Sequence, residues 1–157
     1  MELTMNIRIV LLPMILLSGF QLCQAQEKTN DNLAEQLQGT WRVTLKDSQG
    51  NPVSVTKEVE GRRETLRTER EGKVLHEHVV DFEVKSTAGV LIFTYRNYTI
   101  TQGPDAGRVR KDPVSYIYRV NETEWICIEG AMQDDEGKVR VVTYERVKNE
   151  VARLSNR

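Results

Sequence analysis

The chain has 157 residues, 22 Lys and Arg against 23 Asp and Glu, and 39% hydrophobic residues, giving a formal net charge of −1 and a pI near 6.2. This is the size of a single domain and the composition of a globular protein. The interspersed charge provides no basic face for nucleic acid and describes a solvated exterior.

Residues 1–25 are a different material. Arg8 precedes the apolar run Ile9-Val10-Leu11-Leu12-Pro13-Met14-Ile15-Leu16-Leu17, and Cys23-Gln24-Ala25 supplies small residues for a cut after Ala25. That is the layout of a secretory signal peptide. The run is too short to span a bilayer, which takes roughly 20 residues. The expectation is an exported protein, periplasmic or extracellular, with no membrane insertion after cleavage. Use of Cys23 as a lipid anchor is disfavoured by Leu22 directly before it, where such sites prefer a small residue. Cleavage leaves Cys127 alone, so no internal disulfide supports the fold. Its setting in Trp125-Ile126-Cys127-Ile128 predicts a buried thiol.

Residues 26–32 read as a polar, flexible lead-in. Asn30 or Asp31 then caps a short helix with Leu33, Ala34 and Leu37 on one side. From Thr40 to Lys46 the chain alternates, with Trp41, Val43 and Leu45 apolar, which predicts a half-buried strand. A turn over Asp47 to Pro52 leads to a second strand. Val53, Val55 and Val59 share one face of it, and Lys57 is a charged exception on that face. Glu64 to Arg70 has only Leu66 as a strong apolar residue and reads as a weak, exposed third strand. In the fourth, Val74, His76, His78, Val80, Phe82 and Val84 share one parity, so both histidines go with the apolar face and Glu77 points away. The fifth runs from Val90 towards Ile100 with ambiguous parity. After the loop Gln102 to Gly107 and a basic stretch, Val114 to Val120 is a sixth strand and Glu124 to Glu129 a seventh. The turn Asp134-Asp135-Glu136-Gly137 leads to an eighth, Lys138 to Val147, and residues 148–157 form a charged tail.

Eight strands with short turns predict an all-β domain over residues 33–147. The expected form is an up-and-down antiparallel eight-stranded barrel with a short N-terminal helix, because closure removes the exposed edges. A two-sheet sandwich is the competing arrangement.

The short helix followed by Gly39-Thr40-Trp41 resembles the Gly-x-Trp signature of lipocalins. Over most of residues 33–147 the chain is similar to small exported lipocalin-like bacterial proteins of planctomycete type. The likeness rests on Leu37-Gln38-Gly39-Thr40-Trp41, Gly103-Pro104-Asp105-Ala106-Gly107, Ile117-Tyr118 and Trp125-Ile126-Cys127-Ile128. Trp125 stands where that group usually has a smaller aliphatic residue. Its members are mostly uncharacterised, so the resemblance implies a barrel and an exported location but no reaction. It also implies a closure device: Gly39 letting the backbone pass close to the helix, Trp41 plugging one end, and Arg146 stacked on Trp41.

His76 and His78 are the only histidines. They supply two ligands where zinc takes three or four, and read as hydrogen-bonded wall residues able to meet a polar group of a ligand. There is no Gly-x-Ser-x-Gly, phosphate loop or His-Glu-x-x-His. No enzyme, metal or cofactor is expected. The expected function is binding of a small apolar molecule inside the barrel, lined or capped by His76, His78, Val80, Phe82, Tyr116, Tyr118 and Trp125. The alternative is a protein-binding module with a filled barrel, such as a protease-inhibitor-like or envelope component. Two Trp, five Tyr and two Phe remain after the leader. If most point inward, the barrel is expected to be filled.

Overall fold

The computed structural model describes residues 30–132 and 139–148. The expected leader, most of the lead-in, the turn at 134–137 and the tail beyond 148 lie outside them. The elements are α1 (Asn30–Glu35), β1 (Gly39–Lys46), β2 (Pro52–Glu60), β3 (Arg63–Arg70), β4 (Lys73–Thr87), β5 (Val90–Gln102), β6 (Val109–Arg110), β7 (Val114–Val120), β8 (Glu124–Glu129) and β9 (Arg140–Arg146). All strands but the short β6 close into one antiparallel barrel of eight, with β4 paired to β5 and β9 returning onto β1. This excludes the sandwich. The helix begins at Asn30, where Asn30 or Asp31 was expected to cap it, and takes in the last three residues of the lead-in. The short β6 pairs Arg110 with Tyr98, inside the basic stretch, where no strand was expected.

The registers fix the inner face. Trp41 lies opposite Lys57, Val43 opposite Val55 and Leu45 opposite Val53. Lys57 in turn lies opposite Leu66, and Leu66 opposite His78. Period two then puts Glu64 and Thr68 of β3 on the inside. The expectation of an exposed third strand is therefore overturned: Glu64 is 4% exposed. Its charge suggested solvent, but a carboxylate turned inward is tolerated where a cation already waits, and Lys57 is that cation. The ambiguous parity of β5 has a physical cause as well. The β4–β5 register shifts between Val79 and Asp81, beside Asn97 at φ 53°. That bulge flips the inward set from Leu91, Phe93 and Tyr95 to Tyr98 and Ile100.

The end of the barrel next to α1 is solid. Leu33, Leu37, Trp41, Phe93 and Trp125 are all fully buried there. Trp41 meets Trp125 edge-on at 5.7 Å between ring centroids, and Phe82 stacks on Phe93 at 4.7 Å. A helix of six residues has no stability of its own. Burying Leu33 and Leu37 supplies roughly 1.5–3 kcal/mol each, and the Trp41 indole N–H donates to Leu37 O at 2.8 Å. Arg146 completes the closure. Its guanidinium sits 4.0 Å from the Trp41 ring centroid and donates to Glu122 O, Gln38 O and Gln36 O at 2.9, 2.6 and 2.8 Å. Gly39 has φ +103°, and a Cβ there would lie 3.3 Å from Arg146 Nη1. The close approach that Gly39 permits is thus to the arginine and not to the helix.

Candidate functional site

Above that plug the barrel is hollow. A cavity of about 300 Å³ opens at the far end, between β2, β3, β4, β5, β7, β8 and β9. Its floor is made by Lys57, Glu64 and Tyr116, which are 2%, 4% and 5% exposed. Lys57 Nζ donates to Glu64 Oε2 at 3.2 Å and to Tyr116 Oη at 3.3 Å. Aromatic rings surround the same ammonium, with Trp125 at 4.3 Å and Tyr144 at 4.9 Å to the centroids. Burial works against the charge on Lys57, but the Glu64 carboxylate, helped by Cys127 and Tyr144, acts the other way, and the net shift of its pKa is upward. Lys57 is therefore a permanent cation, held by one carboxylate and the faces of the rings. It is no nucleophile, since that role needs the free amine.

The walls mix apolar and polar groups. Leu66, Val80 and Val114 give the apolar part, and Tyr95, Tyr98 and His78 give flat faces with polar edges. His78 Nδ1 and Tyr98 Oη both lie 3.0 Å from His76 Nε2, and the His78 and Tyr98 rings are 4.3 Å apart. Burial, then the neighbouring His76 and Lys57, push the His78 pKa down to about 4. A neutral imidazole therefore lines the cavity at pH 7. Among the described residues no three of His, Cys, Asp and Glu converge to hold a metal ion. Behind this cluster, Gly103 of the Gly-Pro-x-x-Gly loop has φ +113° and packs on the β4 backbone, where a Cβ would come within 2.8 Å of Leu75 O. The loop thereby holds the strand that carries both histidines.

The rim is charged. Glu129 and Arg140, opposite each other across β8 and β9, form an ion pair at 2.6 Å. Arg110 is exposed and has no ion-pair partner among the described residues. Among the described residues, Lys57, Arg110 and Arg140 against Glu64 and Glu129 give the cavity lining one positive charge in excess.

The sequence grouped seven residues as a ligand wall or cap. The structure puts His78, Val80 and Tyr116 on the cavity. His76 stands behind His78 as its hydrogen-bond partner. Phe82, Tyr118 and Trp125 belong to the plug, where Phe93 stacks on Phe82 and meets Tyr118 and Trp125 at 6.4 and 5.7 Å. The nine aromatics do not fill the barrel, because they are unevenly spread. Six sit at the plug, and only Tyr95, Tyr98 and Tyr116 reach the cavity. Sequence reasoning missed Lys57, Glu64, Arg110, Glu129 and Arg140. The signal for the first was present, a lone charge on an apolar face. Cys127 is fully buried, and burial pushes its thiol up to about 11, so it is inert as a nucleophile. Comparison with family models, curated proteins and solved structures returned no match.

Proposed function

We propose that the protein is an exported binder of a small organic molecule, which it takes into the open half of the barrel without altering it chemically. The observation that carries this reading is the cavity itself. Its volume of about 300 Å³ is at the small end of ligand pockets, roughly 300–1,000 Å³. Apolar walls beside a few fixed polar groups are the usual composition of such sites. The ligand this cavity suits is apolar in its body but not throughout, because ion pairs stand at both floor and rim.

Native mass spectrometry of the protein purified from its own source tests the reading. A bound small molecule is expected, lost on denaturation and absent from Val114→Trp, which fills the cavity. A protein with no small molecule but a stoichiometric protein partner refutes it in favour of the binding-module alternative. One observation favours that second reading. Ile92, Ile117, Ile128 and Val141 lie opposite one another across β5, β7, β8 and β9 on the outer wall, and Val141 is 65% exposed.

A further inference from the structure

The floor of the cavity holds an unmet acceptor. Glu64 is 4% exposed, and its Oε2 accepts from Lys57. Nothing among the described residues donates to its Oε1. Sealed, unpartnered side-chain polar atoms do occur among the described residues, but they are Tyr118 Oη and Trp125 Nε1. Glu64 Oε1 is not one of them, so it reaches the cavity space. A carboxylate oxygen enclosed this far gains by receiving a hydrogen bond from whatever enters. The entering donor is best uncharged, since Lys57 already stands 3.2 Å from the other oxygen and would repel a second cation.

The rim makes the opposite demand. Arg110 faces the same cavity at its exposed end, on β6 opposite Tyr98, and no carboxylate among the described residues answers it. A guanidinium in that position selects a carboxylate, which it can hold with paired N–H donors. Between floor and rim the walls are Tyr95 and Tyr98 on one strand and Val114 and Leu66 on others, surfaces that suit a flat body.

Building on the ligand-binding reading, we infer that the ligand is a small, flat hydroxy acid, its hydroxyl donating inward to Glu64 and its carboxylate held outward by Arg110. The molecule enters hydroxyl first. Its body lies between the tyrosine rings and the aliphatic wall, and its acid stays at the wet end, where a carboxylate loses least hydration.

The probe is 6-hydroxy-2-naphthoate, whose hydroxyl and carboxylate sit at opposite ends of a flat ring system. It is titrated calorimetrically into the protein at pH 7, beside 2-naphthoate, which lacks the hydroxyl, and 2-naphthol, which lacks the acid. The hydroxy acid is expected to bind about tenfold or more tightly than either comparator, since each loses one charge-assisted hydrogen bond. Arg110→Gln, an exposed position that does not touch the core, is expected to bring it down to the level of 2-naphthol. Equal binding of all three overturns the inference and leaves the ligand cavity standing. Binding by none of them also overturns it, and native mass spectrometry then decides separately whether the cavity holds any molecule. Glu64→Gln is the second variant. If it folds, it is expected to erase the advantage over 2-naphthoate, and an undiminished advantage refutes the assignment of the inner end.

Discussion

Replacing Glu64 by Leu leaves the Lys57 ammonium inside the barrel with no counter-charge. Both side chains are nearly sealed, at 3% and 5% exposure, so solvent cannot take over the lost partner. Breaking a buried pair on one side costs about 3–5 kcal/mol. The aromatic cage offsets part of this. Trp125 at 4.3 Å and Tyr144 at 4.9 Å keep their hold on the cation, and a desolvated cation–π contact contributes about 2 kcal/mol. The expected loss is therefore near the lower end, about 3 kcal/mol. The double variant Lys57→Met/Glu64→Leu removes both charges and is expected within about 1 kcal/mol of the parent, since an apolar pair of similar volume replaces an ion pair with little net change. The assay is urea unfolding at pH 7, followed by the fluorescence of Trp41 and Trp125. That pH lies in the right window. The Lys57 pKa is raised on folding, so its contribution is complete below its unfolded value near 10.4 and is lost only as pH climbs through the folded value. A loss under about 1 kcal/mol for Glu64→Leu, or a double variant as unstable as the single, would refute the account of the floor.

Arg146→Met is expected to cost about 2–3 kcal/mol by the same assay, because three backbone carbonyls lose a charged donor and Trp41 loses its cover. Retention of full stability would show that the stack is incidental. His78 is expected to stay neutral in an NMR pH titration until about pH 4. Its lowered pKa means stability is complete above the unfolded value near 6.5 and declines as pH falls towards 4; a titration midpoint above 6 contradicts the buried, His76-paired ring. Gly103→Ala is expected to destabilise by about 1–3 kcal/mol, through its positive φ and the 2.8 Å approach to Leu75 O, and a neutral result means the loop does not hold β4.

Strand number and order were legible because alternation and turn residues are local, and closure follows from the absence of any crossover segment. Parity also read Trp41, Val55 and His78 as sharing the apolar, inward face. It failed where an extra residue enters a strand. Asn97 adds a step to β5, and no run of apolar residues announces which side of a bulge a given parity belongs to. It failed again on height. Phe82 and Val80 share a face, yet Phe82 stacks on Phe93 in the plug while Val80 lines the cavity. Position along the barrel axis depends on the tilt and stagger of all eight strands, which is a property of the closed sheet and not of any segment. Glu64 was misread for a third reason. A charged residue is ordinarily exposed, and its partner Lys57 lies across the β2–β3 hairpin, so neither charge makes sense on the inner face without the other.

Lys57 and Glu64 separate the two halves of the molecule. Towards α1 the polar groups of the closure device are largely answered: the Trp41 indole by Leu37, and the Arg146 guanidinium by three carbonyls. That half is a sealed core, and its two unpartnered polar atoms, Tyr118 Oη and Trp125 Nε1, are closed off from any ligand. On the other side of the pair one carboxylate oxygen and one rim guanidinium have no partner among the described residues. A pair placed only for stability would be poorly chosen, since apolar residues fill such a site at least as well. The pair makes better sense as a floor, because Lys57 holds the Glu64 carboxylate in one orientation and so turns a flexible acid into a rigid acceptor aimed at the cavity. Any ligand that uses that acceptor must also stabilise the fold by mass action. Recognition and stability then meet in the same two side chains, and the Lys57→Met/Glu64→Leu variant parts them: a stable barrel whose floor can no longer accept a hydrogen bond.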